Sequence, residues 1–225
     1  MGLNHSPSIV TNGLVLALDA ANPKSYPGSG TAWNDLSGNS KTGTLVSSPT
    51  YNANGVFSFS GSNNITIPAV LPASTSKYTM GAWWYPTVNA FQVVYEQNSA
   101  TQINNRRSAI LILSTLWGFN GENNDAHDKV PVVLNQWVNG VITVDTTDGT
   151  NPIKIYQNGL LYWQGNSGGG ASNLNMGDGS SSIAKKIPGS EYLTGGVSNV
   201  FVYNRVLTAN EILQNYNALR GRYGL

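Results

Sequence analysis

Leu14, Leu16 and Leu18 alternate with Val15, Ala17 and Asp19, the two-residue period of a β-strand with one or both faces covered. The same period recurs down the chain. Val56, Ser58 and Ser60 alternate with Phe57 and Phe59, and Ile65 and Ile67 alternate with polar neighbours. This predicts two short strands joined as a hairpin around residues 61–64. Tyr78, Met80, Ala82 and Trp84 share one face of a longer strand while Thr79, Trp83 and Tyr85 share the other, so one set must be core. Residues 91–97 and 108–114 alternate again. Residues 137–145 are suited to pair with 153–157, and Asn158-Gly159, directly after, favours a type I′ hairpin turn.

Near the end the period changes. Val200 and Val202 lie on one strand face with Asn199, Phe201 and Tyr203 on the other, and Thr208 followed three residues later by Glu211 then forms a capping box. Leu207 can staple to Ile212, and Ile212, Leu213, Tyr216 and Leu219 make an apolar stripe along one short helix. Gly221 is placed to end that helix in a left-handed conformation. About a dozen short strands with regular turns and a single helix predict an all-β fold, a two-sheet antiparallel sandwich. Missing crossover helices exclude a parallel α/β sheet.

All-β sandwiches of 225 residues are routinely single units, and no linker divides residues 13–225. Residues 1–12 are polar and contain Pro7, so they are expected to be a docking tail ordered by another protein chain, with Leu3, Ile9 and Val10 as its sizeable apolar groups. Charged residues make up only 10% of the chain and the net charge is +1, which leaves no electrostatic footprint for nucleic acid or an anionic membrane. There is no cysteine, hence no disulfide framework or thiol chemistry. No apolar run approaches the ~20 residues that span a bilayer. The opening Met-Gly-Leu-Asn-His-Ser-Pro has neither a basic nor an apolar signal region, so synthesis in a host cytoplasm and release by lysis are the expectation.

The end of the chain, Tyr-Asn-Arg-Val-Leu-Thr (203–208) leading into a capped helix, resembles laminin-G-like domains of the concanavalin A-like lectin/glucanase superfamily, in the form common in marine phage structural proteins. Gly13 to Asn22, Trp33 to Asn39, Tyr78 to Pro86, Trp137 to Asp145 and Ile155 to Gly159 resemble further blocks of that family. The resemblance implies a jelly-roll sandwich with Tyr78, Met80, Ala82 and Trp84 inside, and with Trp83 and Tyr85 on an outer, concave face. It also implies a virion protein of capsid, neck or tail, with other virion proteins as partners, closed homo-oligomers, and a glycan as possible ligand. A free-standing lectin is the alternative and a glycoside hydrolase the lesser one, because fold alone does not decide function.

Hydrolases of that superfamily cluster three carboxylates on one strand, two of them ~5 Å apart. None of the 11 acidic residues here has that spacing, so the expected protein is not an enzyme. Gly165-Asn-Ser-Gly-Gly169 matches a nucleophile elbow by letter only, because no helix follows it. The Asn-rich loop of residues 120–128 brings Glu122, Asp125 and Asp128 together as oxygen ligands suited to calcium, and no cofactor or one weakly held calcium is expected. Six tryptophans and 11 tyrosines suit sugar stacking. Trp83, Tyr85, Trp117 and Trp33 are the surface candidates, whereas Trp84 and Trp137 are expected in the core. Asp19 and Asp35, beside turns, are expected to accept backbone N–H bonds.

Overall fold

Period-two alternation can be satisfied only if each strand buries one face, and the chain does so by stacking two antiparallel sheets. The computed structural model describes residues 7–98, 103–168 and 170–225. The strands are, in order, β1 (Leu14–Asp19), β2 (Ala32–Trp33), β3 (Gly43–Val46), β4 (Thr50–Asn52), β5 (Val56–Ser60) and β6 (Asn64–Ile67). Next come β7 (Lys77–Pro86), β8 (Phe91–Gln97), β9 (Ser108–Leu113), β10 (Leu116–Asn120) and β11 (Ala126–Pro131). The chain closes with β12 (Val138–Asp145), β13 (Ile153–Gln157), β14 (Leu160–Gly165), β15 (Ser181–Ile183), β16 (Thr194–Tyr203) and the helix α1 (Ala209–Leu219).

The first sheet runs β14-β13-β12-β7-β16-β5-β4, with β1 also paired to β16. The second runs β11-β10-β9-β8-β15-β6-β3-β2. This is the two-sheet antiparallel sandwich that the alternation predicts, in the jelly-roll form that the resemblance implies. Tyr78, Met80, Ala82 and Trp84 of β7 face the core together with Val200 and Val202 of β16, and the second sheet answers with Ile65, Tyr95, Ile110 and Trp117. Trp84 and Trp117 meet edge to face at 5.0 Å. Gly140, paired with Ala82, makes room for them, since a Cβ there would lie 2.0 Å from the Trp84 ring. Each such buried aromatic contributes on the order of 2–3 kcal/mol.

Residues 56–60 and 65–67 do not form a hairpin. β5 pairs with β4 and β16 in the first sheet, while β6 pairs with β3 and β15 in the second. Phe57 and Phe59 therefore face Ile65 and Ile67 across the core, and the turn between them carries the chain from one layer to the other. Asn158-Gly159 behaves as expected, with φ of 52° and 81° between β13 and β14.

The capping box is complete: Thr208 accepts from Glu211 N–H, and the Glu211 carboxylate accepts from Thr208 N–H. Arg205 adds a bidentate pair to Glu211, at 2.6 and 3.0 Å. That pair holds the Glu211 carboxyl well below the usual carboxylate range, down to about 2. Leu207 and Ile212 are buried together against Val141, Phe201 and Tyr203 in a second, smaller core. Two details of the predicted helix are corrected. Leu213 faces solvent and Asn215 is buried in its place, because its Oδ1 accepts from Val10 N–H and its Nδ2 donates to the Tyr203 hydroxyl. Gly221 does not terminate the helix. The chain continues in a 3-10 turn over Arg220–Tyr223, and the left-handed residue is Gly224, φ 72°.

Of the predicted docking tail, Leu3 lies outside the described residues. Val10 packs on the small core, its carbonyl accepts from the Tyr203 hydroxyl at 2.7 Å, and the Ser8 carbonyl accepts from Gln214. Within the chain, α1 and β16 thus give residues 8–10 hydrogen-bond partners, and Ile9 is half-buried.

Candidate functional site

β5, β16 and β7 lie side by side, so their outward residues share one surface, and near the end of the sheet that surface is not fully covered. Val56 and Ser58 from β5, Gly195, Gly196 and Ser198 from β16, and Tyr85 from β7 form its floor. Asn52, Asn54, Thr87 and Trp137 rise around it, and Arg222 and Tyr223 of the terminal turn close one side. The result is a cleft of about 720 Å³, a size that suits a small ligand. One glycine in the floor is required, since a Cβ at Gly195 would fall 2.2 Å from the Tyr85 carbonyl, and a Cβ at Gly196 would crowd Val56 at 3.0 Å.

Aromatic contacts hold the walls. Tyr85 and Trp137 lie 5.5 Å apart at 57°, and Trp137 meets Tyr223 at 4.7 Å. Tyr223 stacks in turn on Trp83 at 4.0 Å and 15°. Trp83 is thereby sealed under the C-terminal turn, with Tyr216 of α1 also stacked on it at 5.7 Å. Burial raises the Tyr223 phenol above its ordinary value, with the Ser198 hydroxyl acting the other way, so it stays protonated. Trp137 and Tyr85 remain half-buried, each with ring surface turned to the cleft. Arg222 is anchored by an ion pair from Nη1 to Asp19 Oδ2 at 2.7 Å, and Asp19 Oδ1 accepts from Ala21 N–H. The Ser198 hydroxyl donates to the Gly55 carbonyl.

Of the four predicted sugar-stacking rings, Tyr85 reaches this cleft. Trp33, Trp83 and Trp117 are fully buried and offer no face to a ligand. Trp33 packs on Phe57 at 4.8 Å, and Trp117 lies in the core with Nε1 donating to Gln157. Trp137, expected in the core, is instead the second ring of the site. It directly precedes Val138 of β12, which faces the core, so its own side chain falls on the outer side of the sheet.

The three carboxylates predicted to hold calcium are held by separate partners. Glu122 pairs with Arg107 at 3.2 Å. Asp125 Oδ1 accepts from Asn120 Nδ2 and Gly121 N–H, and Asp128 pairs with Lys129 at 2.7 Å out on β11. Among the described residues no three His, Cys, Asp or Glu side chains gather as a ligand set. Asp35 accepts from Ala17 N–H and Ser37 N–H, as its turn position implied.

A second polar cluster lies on the outer face of the second sheet. Glu96 of β8, pointing away from the core opposite Tyr95, and Arg107, just before β9, are both fully buried, 3.7 Å apart. The loop after β15 closes over them: Ile187 N–H donates to Glu96 Oε1 at 2.5 Å, and the Ile187 carbonyl accepts from Arg107 Nη2 at 2.8 Å and from Asn98. Burial outweighs the attraction of Arg107 and pushes the Glu96 carboxyl up to about 7. No sequence pattern singles out this pair, since its members are isolated charges at strand ends.

The fold and the ring-lined cleft define a lectin-like sandwich. Residues 59–213 match a laminin-G family described as the Concanavalin A-like lectin/glucanases superfamily, and the chain belongs to that superfamily. No curated protein matches the sequence. Among solved structures, domain 4 of an extracellular arabinanase from Geobacillus stearothermophilus, in complex with arabinotriose, is 14% identical, with a TM-score of 0.68 over 90% of this chain and 98% of that one. The binding domain of botulinum neurotoxin DC, in complex with rat synaptotagmin II, is 15% identical with a TM-score of 0.69, over 93% and 52% of the two chains. A Trypanosoma rangeli sialidase mutant displaying trans-sialidase activity is 16% identical with a TM-score of 0.68, and there this chain covers only 35% of its length. At these identities the likeness is one of fold.

Proposed function

We propose that this chain is a non-catalytic, lectin-like module of a phage particle, carried on the capsid, neck or tail with other virion proteins, and that it binds a saccharide in the cleft beside Tyr85 and Trp137. The observation that carries the binding reading is the pair of half-buried rings set at 57° over a floor of two glycines. Rings with a polar handle stack on the C–H faces of sugars while their N–H and O–H groups stay available, and Asn52, Asn54, Ser58 and Arg222 supply the hydrogen-bonding rim. Among the described residues the cleft lining includes no carboxylate, and Glu96 is enclosed with Arg107, which supports binding over hydrolysis. The particle setting rests on the resemblance of residues 13–22, 33–39 and 203–208 to phage structural proteins, and the arabinotriose complex of a similar domain supports a saccharide ligand.

A glycan array probed with the wild-type chain and with Trp137→Ala tests the binding half: saturable binding lost in the variant supports it, and binding that survives the substitution overturns it. Antibody labelling of purified particles tests the setting. Absence of the chain from particles would leave a free-standing lectin in its place.

A further inference from the structure

Charge around the cleft is lopsided. Asp19, the carboxylate paired with the cleft residue Arg222, has its oxygens engaged by Arg222 Nη1 and Ala21 N–H, and it is only 10% exposed. The Ser198 hydroxyl is committed to the Gly55 carbonyl, and Asn52 Oδ1 accepts from Asn54 N–H. Among the described residues Arg222 is the one charged side chain of the lining, and its guanidinium makes a single hydrogen bond to them, that to Asp19. Arg222 lines the cleft, is 43% exposed and is tethered by its ion pair to Asp19, so less of its side-chain freedom remains to be lost on binding. A planar fork of N–H donors so anchored matches an oxyanion bidentately.

We infer that the ligand of this cleft is an acidic saccharide, with its ring on Trp137 and Tyr85 and its carboxylate or sulfate oxygens on the free edge of Arg222. This rests on the reading of the cleft as a saccharide site and adds its charge. At so exposed a contact the charge-assisted hydrogen bonds should make the acidic ligand bind roughly 10-fold tighter than its neutral counterpart. The contact is exposed, and the preference should shrink as salt rises.

The test titrates the full chain with three probes of equal length: a galactotriose, a trigalacturonate and a sulfated galactotriose. Tighter binding of at least one acidic probe, reduced to the level of the neutral probe by Arg222→Gln, is the expected result, and the two acidic arms separate carboxylate from sulfate. Because Arg222→Gln also releases Asp19, a second variant is needed. Asn54→Asp, on the exposed rim, places a carboxylate at the cleft and should weaken the acidic probe more than the neutral one. Equal binding of neutral and acidic probes, both lost in Trp137→Ala, would overturn the inference while leaving the saccharide site standing. No binding of any probe would overturn the inference, and the array result would then decide whether the site itself stands.

Discussion

Rings cover the outer face of the first sheet, and charges cover the outer face of the second. On the first, Trp83, Tyr216 and Tyr223 stack beneath the terminal helix and turn, and the covering stops short, leaving Tyr85 and Trp137 half open. On the second, Glu96 and Arg107 lie at zero exposure and the loop at Ile187 is drawn down on both. The difference follows from desolvation. A ring loses little when one edge meets water, so a face made of rings can be left ajar and still hold together. A charge removed from water must be met on every side, and a gap in its covering would leave an uncompensated ion or a hydrated hole in the layer. Hence the open face is the candidate binding surface, and the closed face is structural.

The contrast breaks most visibly if a charge is removed from the closed face. Arg107→Ala leaves Glu96 buried without its counter-ion and removes one donor to the Ile187 carbonyl, and should cost ~3–5 kcal/mol in urea-unfolding free energy. A loss below about 1 kcal/mol would mean that water already reaches the cluster.

The pH dependence sharpens the same contrast. Burial holds the folded-state value of Glu96 near 7, above its ordinary 4.5, so the folded chain binds the extra proton between those values. Stability should therefore rise as pH falls from about 7 towards 4.5, by up to about 1.4 kcal/mol per pH unit, and be lost on the way back up. Glu211 has the opposite sign: its carboxyl sits at about 2, so its contribution is present above 4.5 and is lost as pH falls further. Melting temperature should peak near pH 4.5–5 in the wild type, and Glu96→Gln should flatten the limb above the peak. The smallest effect belongs to the open face. Trp137→Ala removes a half-buried ring and should cost about 1 kcal/mol of stability, even though it removes the ring expected to stack on a ligand.

Local patterns were legible in the sequence and remote coverings were not. The capping box of Thr208 and Glu211, the Asn158-Gly159 turn and the division of β7 into two faces each depend on residues within a few positions of one another, and the folded chain keeps them all, whereas the choice of the inward face comes from the family resemblance. Alternation alone cannot tell whether two strands lie side by side or face each other across a core, and residues 56–67 show the consequence. Nor does it reveal what covers an outward face. Trp83 is outward on β7, as its period says, yet a turn at the far end of the sequence seals it. That same turn supplies Arg222 and Tyr223 to the cleft and leaves Trp137 exposed enough to line it. Glu96 and Arg107 carry no local signal, because their meaning arises only when the loop at Ile187 closes on them.

The central claim is that the ligand of this chain lies on Trp137, and the indole N–H region of a proton–nitrogen correlation spectrum tests it directly. Of the six tryptophans, Trp33, Trp83, Trp84 and Trp117 are wholly buried, so their indole signals should stay in place when the best-binding saccharide from the array is titrated in. A progressive, saturating shift of the Trp137 indole resonance, assigned by its loss in Trp137→Phe, is the expected result. Saturable binding with that resonance unmoved would place the ligand elsewhere on the sandwich and contradict the account.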